Sequence, residues 1–188
     1  RQPRKRTLAA VPTIGLTGEI FVRRDGLSRQ HLTERLARQG FAVRCSPVSE
    51  WIHYTHHLHR TGLTERGKRP RRRLRIALKH RIMRYDEKRL RRQIARSGLL
   101  AAGPVDMRAV LRTGSRHLSP QLTGEAILTV GGSLHDIVSE VCGVIAIGPF
   151  GCMPNRIAEA ILGEVMTREG KAAVCGHSDP RLTHLAPE

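Results

Sequence analysis

The sequence predicts an α/β fold in which a mostly parallel sheet carries helices on both faces. Two observations lead there. Residues 11–48 read as strand, helix of about three turns, strand, a unit that favours parallel pairing through a right-handed crossover. Near the other end, Gly143-Val-Ile-Ala-Ile147 is apolar without alternation, as in a strand covered on both faces, and a tight turn leads from it into a helix.

Taken in order, Arg1–Arg6 is a basic leader, and residues 1–10 fall outside the domain. Val11 to Val22 is a β-type run with glycines, ending in Arg23-Arg24-Asp25-Gly26. Ser28 is placed to cap a helix whose apolar positions are Leu32, Leu36 and Ala37, with Gly40 as its stop. Phe41 to Val48 is the second strand. A helix starts at Ser49-Glu50-Trp51, with Trp51, Ile52, Tyr54 and Leu58 as its apolar members. Thr61–Arg73 is polar and holds Gly62, Gly67 and Pro70, the composition of a loop. Leu74, Leu78, Ile82, Leu90 and Ile94 recur at helical spacing, so 73–97 reads as an amphipathic helix, or as a pair broken near Tyr85-Asp86, with its arginines outward.

Met107, Val110 and Leu111 give a short helix after Pro104. Gly124–Glu140 reads as a helix with Ala126, Ile127, Val130, Leu134, Ile137 and Val138 inward. After the buried strand, Gly148-Pro149-Phe150-Gly151-Cys152-Met153-Pro154 is the turn, and Asn155 opens a helix running to Gly170. Lys171–Cys175 is a final strand. The domain expected is therefore 11–175, with a basic helical insertion near 64–97 and a tail over 176–188.

Composition narrows the classes. The 188 residues are 39% hydrophobic, enough for a core, and no stretch nears the roughly 18 apolar residues of a membrane span. There is no signal-peptide pattern and no initial Met, which suggests a piece of a longer or processed protein. Four cysteines are too few for a disulfide scaffold at this length, so a reducing cytoplasm is expected. The net charge is +17, from 33 Lys and Arg against 16 Asp and Glu, but only five of the cations are lysines. Fifteen fall between Arg66 and Arg96, where Asp86 and Glu87 are the only acids. That segment suits a solvated face, an acidic partner, or an anionic ligand such as an acyl-CoA phosphate. Nucleic acid is disfavoured, because Tyr85 is its only stacking group.

The most specific local feature is Cys152. It lies between the carboxyl end of a buried strand and the start of a helix, where open α/β sheets hold ligands. The helix dipole favours anionic sulfur there, the form needed by a nucleophile or an iron–sulfur ligand. The other reading is a small buried hydrophobe. Cys45, Cys142 and Cys175 read as core filler, although three or four thiols could converge in space. His53, His56, His57 and His59 read as a solvated polar face, with positions 53 and 57 spaced as zinc ligands can be. Glu19, Glu50 and Glu125 follow Gly or Ser beside apolar runs and are expected to be buried and hydrogen-bonded, but none is near another in sequence. There is no P-loop, no G-x-S-x-G and no complete G-x-G-x-x-G, hence no complete active site by motif.

Three stretches taken together carry a resemblance. They are Gly18-Glu-Ile-Phe-Val-Arg23 with Pro47-Val-Ser-Glu-Trp-Ile52, then Gly124-Glu-Ala-Ile-Leu-Thr-Val-Gly131, then Gly148-Pro-Phe-Gly-Cys-Met-Pro154. From Ile14 to Arg168 the chain resembles the C-terminal region of acyl-CoA dehydratase activase-related proteins. Those are akin to the iron–sulfur subunits of 2-hydroxyacyl-CoA dehydratases and benzoyl-CoA reductases. The resemblance implies Rossmann-like lobes around a cysteine-bound cluster, of 4Fe-4S type, used in low-potential electron transfer. It implies Cys152 as one metal ligand, with the others on further segments of a longer chain or on partner subunits of a dehydratase/activase system. The ATPase half of an activase is not in this sequence, and after Arg168 the pattern is left. The competing reading is a non-catalytic α/β interaction or anion-binding domain that has lost the cluster.

Overall fold

The computed structural model describes residues 11–63, 70–97, 105–137, 141–168, 170 and 172–177. The leader, most of the tail and the stretch from Thr64 to Arg69 lie outside them. The chain divides into two compact units, residues 47–108 and the remainder, with the division falling just inside a helix at Arg108.

The first unit holds four parallel strands: β1 (Thr13–Gly18), β2 (Ala42–Cys45), β3 (Gly143–Gly148) and β4 (Ala172–His177), in the order β2-β1-β3-β4. Its helices are α1 (Ile20–Arg24), α2 (Leu32–Arg38), α6 (Glu125–Gly132), α7 (Met153–Arg168) and the greater part of α5 (Met107–Gly114). The second unit holds α3 (Ser49–Thr61) and α4 (Pro70–Ala95). The sheet is a small Rossmann-like α/β arrangement, as the sequence predicts.

Side chains alternate along β3, and each set meets different helices. Val144 and Ala146 join Val130 of α6 and Ala158, Leu162 and Met166 of α7 in one core. Ile145 and Ile147 face the other way, with Leu16, Val22 of α1 and Leu32 of α2. Helices therefore cover both faces, which is why the β3 sequence shows no polar alternation. Each fully buried apolar side chain contributes roughly 1.5–3 kcal/mol. Crossovers from β1 to β2 and from β2 past β1 to β3 run in opposite directions, so a switch point lies between β1 and β3.

Several local expectations are corrected. The run to Val22 is not one strand. Gly18 has φ 103°, and a Cβ there would stand 2.0 Å from the Ile147 carbonyl oxygen, so the strand stops at a glycine pressed on β3. Glu19 then caps α1, its Oε2 accepting from the Val22 amide at 2.8 Å. Ser28 is no cap; its amide donates to Asp25 Oδ2, and α2 begins after His31. α2 does end before Gly40. α6 passes into a π-helical turn at Ser133–Ile137 instead of continuing as one α-helix, and residues 138–140 lie outside the described set.

The insertion differs most. α4 is one unbroken helix from Pro70, so part of the expected loop is helical and there is no break at Tyr85-Asp86. Its half-buried positions are Ile76, His80, Met83, Glu87 and Arg91, spaced i, i+4, i+7, i+11 and i+15. Leu74, Leu78 and Ile82 are exposed by 75%, 59% and 55%. At about 100° per residue these two sets occupy opposite sides of the helix. Arg71, Arg75, Arg81, Arg84, Arg89 and Arg92 are outward, as expected, but Arg91 turns inward, and the apolar stripe expected to face the core is outward. α4 rests on α3 through a mixed face with two charged members, which hydropathy periodicity does not register.

Candidate functional site

The carboxyl ends of β1 and β3 place four groups around the switch point. Glu19 follows β1, its amide donating to the Ile147 carbonyl at 2.9 Å. Arg23, only 4% exposed, folds back so that Nη1 donates to the Gly18 carbonyl at 2.8 Å. Glu125 opens α6 and accepts a hydrogen bond from the Ile20 amide. Cys152 follows β3 and is half-buried.

The fold thus joins two carboxylates that are 106 positions apart in sequence, 125 minus 19. Burial pushes the Glu125 carboxyl up, and the negative charge of Glu19 pushes it further; Arg23 and the Ile20 amide oppose both. Linear spacing could not reveal this pair. The signal available was a Gly-Glu dipeptide at the start of a helix, at 18–19 and at 124–125, although Gly163-Glu164 inside α7 repeats it without that setting. The expectation for the glutamates holds in graded form. Glu50 is 5% exposed, while Glu19 and Glu125 are half-buried and hydrogen-bonded.

Cys152 is better placed than the sequence suggested. α7 opens at Met153, not Asn155, because a proline in the first turn costs no intrahelical bond. The Arg156 amide donates to the Cys152 carbonyl at 3.0 Å, which makes Cys152 the residue that caps the helix. Beside it, Asn155 is 5% exposed, and among the described residues neither its Nδ2 nor its Oδ1 has a hydrogen-bond partner. A buried amide left unsatisfied costs about 1–3 kcal/mol, so its retention calls for a partner. Gly148 allows the close approach: a Cβ there would stand 2.8 Å from Asn155 Cγ. Phe150 and Met153, flanking Cys152, are each 72% exposed.

The other cysteines do not gather there. Cys142 precedes β3 at the opposite, amino end, exposed, with Sγ 3.2 Å from the Thr13 carbonyl. Cys175 pairs with Ala146 in mid-strand. Cys45 does end at the carboxyl edge, but its Sγ points to the carbonyls of Arg23 and Ser46, at 3.8 and 3.7 Å. Among the described residues no group of three His, Cys, Asp or Glu is placed to hold a metal ion. Of a cluster's several cysteine ligands, the described residues offer Cys152 alone at this end of β3.

The histidines of α3 form a second constellation, within the second unit. His53 and His56 are buried, not a solvated face, and the pairing is not 53 with 57. His53 Nε2 lies 2.6 Å from Glu87 Oε2, and His53 Nδ1 lies 3.0 Å from His80 Nε2. His56 stacks on His80 with ring centroids 3.7 Å apart. Glu87 also accepts from Ser49 Oγ at 2.8 Å and Arg91 Nε at 2.9 Å. Burial raises the Glu87 carboxyl, but these three donors outweigh it and hold the group below its ordinary range. His80 is held down to about 4 by burial and by the charges around it.

Among the described residues no helix is long and apolar enough to cross a membrane. Compared with protein-family models, with curated proteins and with solved structures, the chain matches none.

Proposed function

We propose that the crevice between the carboxyl ends of β1 and β3 is the working site of the first unit. Cys152 supplies one thiolate there to an iron–sulfur cluster, of 4Fe-4S type, used in low-potential electron transfer within a dehydratase/activase system acting on 2-hydroxyacyl-CoA. The observation that carries this reading is a cysteine whose carbonyl starts the hydrogen bonding of α7, close in sequence to the buried Asn155 amide, which has no hydrogen-bond partner among the described residues. The free amides of the first turn of α7 favour negative charge at that place. When bound, a cluster would supply one-electron redox chemistry. The chain's own part is to hold the thiol at the start of α7, let Asn155 press against the strand end at Gly148, and present Phe150 and Met153 for a covering partner. A reducing cytoplasm suits free thiols in this role.

Anaerobic purification, followed by reconstitution with ferrous iron and sulfide, tests the reading. A brown protein with broad visible absorbance and stoichiometric iron supports it. A colourless protein without bound iron favours the alternative, an α/β interaction or anion-binding domain that keeps the fold without the cluster.

A further inference from the structure

Within the second unit, side chains from α3, from α4 and from residues 105–108 wall a cavity of about 130 Å³. A water molecule occupies roughly 30 Å³ of liquid, so the space suits a group of four or five heavy atoms. Its lining is strongly biased in charge. Arg60, Arg84 and Arg108 contribute three guanidinium groups, His53, His56, His57 and His80 four imidazoles, and Asp106 the single carboxylate. The Asp106 carboxylate also accepts from the Arg108 amide at 3.0 Å. Three fixed cations against one anion leave the mouth of the cavity net positive, with the buried His53 and His56 behind it.

We propose that this cavity binds a phosphate-type oxyanion, held by Arg60, Arg84 and Arg108 and hydrogen-bonded by the inward imidazoles. It lies wholly within residues 47–108 and is independent of the reading of Cys152. A tetrahedral oxyanion fills the volume and matches the guanidinium geometry.

Binding is coupled to protons. His53 Nε2 faces the Glu87 carboxylate and His53 Nδ1 faces His80 Nε2, so the imidazole pair runs from the carboxylate to His80 on the cavity wall. The groups facing His80 are His53, His56 and Arg60 from α3, Arg84 and Glu87 from its own helix, and Asp106 and Arg108 across the cavity. Burial, reinforced by neighbouring positive charge, keeps His56, His57 and His80 neutral at pH 7 when the cavity is empty. An anion in the cavity reverses the electrostatic part of that effect, so it binds with uptake of a proton by the imidazoles.

Calorimetric titration of the full chain with inorganic phosphate tests this. One saturable site is expected, with a binding heat that changes with the ionisation heat of the buffer. Arg84→Ala should weaken binding at least tenfold. Arg81→Ala, which removes the same charge from a position of α4 outside the cavity lining, should change it less than twofold. Arg60→Gln repeats the test from α3 should Arg84→Ala unfold the unit. A phosphomonoester that binds more tightly than phosphate makes the anion part of a larger ligand; a weaker one makes the free ion the ligand. Equal losses in Arg84→Ala and Arg81→Ala, or no saturable heat, would overturn the proposal.

Discussion

The two units bury themselves by different means. In the first, apolar side chains fill both faces of the sheet, and backbone segments meet at glycines with no room for a methyl group. In the second, α3 and α4 meet through His53, His80, Glu87 and Arg91, while Leu74, Leu78 and Ile82 stay in solvent. A sheet core tolerates almost no change of volume, whereas a polar interface depends on satisfied partners and on pH. The first should therefore break on shape and the second on charge.

The largest expected effect is Gly18→Ala. Its Cβ would meet the Ile147 carbonyl at 2.0 Å from a φ of 103°, so the end of β1 must pull away from β3. A loss of about 3 kcal/mol or more in urea unfolding is expected. A loss under about 1 kcal/mol would mean that the strand ends are not held as described.

Equal truncations then separate the regions. Met166→Ala, at 0% exposure, should cost about 2–5 kcal/mol, and Leu78→Ala, at 59%, should stay within about 0.5 kcal/mol. Similar losses at both would place α4's outer stripe in a core after all.

Next come the charge-dependent effects. Glu87→Gln removes the charge and turns one of its two accepting oxygens into an NH2 donor, so either His53 or the Ser49 and Arg91 donors lose their acceptor, and about 1–3 kcal/mol should be lost at pH 7. A second effect follows from His80, whose folded value of about 4 lies below its ordinary 6.5. The unfolded chain then binds more protons in that window, so stability is full above pH 6.5 and is lost as pH falls toward 4. After allowance for solvent screening the loss is about 1–2 kcal/mol, and His80→Gln should flatten it in a pH series of melting temperatures.

The smallest effect is at Glu125, where an acid's folded value is raised. Stability is then greatest below the unfolded value and declines as pH rises through the folded one, leaving a penalty at neutral pH. Glu125→Gln should remove it and raise the midpoint at pH 7 by about 0.5 kcal/mol, with little change at pH 4. A lowered midpoint at pH 7 would show that the ionised carboxylate is needed by Arg23 or the Ile20 amide.

What was legible follows the same division. The unbroken apolar run of β3 and the Gly40 stop announce themselves locally, because burial on two faces and chain reversal each leave a composition mark. Cys152 could be placed between β3 and α7 for the same reason. The Glu19–Glu125 pair could not be, since only the crossing of β1 and β3 brings those residues together. α4 was read in the wrong phase because its inner face is carried by His80, Glu87 and Arg91, which a hydrophobic pattern counts as outside. The unpaired Asn155 amide had no sequence signal; it follows from Gly148 letting the side chain press against the strand end.

Of the thiols in the first unit, Cys152, at the start of α7, is the one proposed to work at the switch point. Iron per chain after anaerobic reconstitution, measured for Cys152→Ser beside Cys142→Ser, tests it most directly. Cys142 is an exposed thiol at the opposite end of the same strand, so it controls for adventitious metal. Iron should be lost in Cys152→Ser and retained in Cys142→Ser, with unfolding midpoints close to the parent's in both. Iron content that ignores Cys152, or falls equally in the two variants, would contradict it.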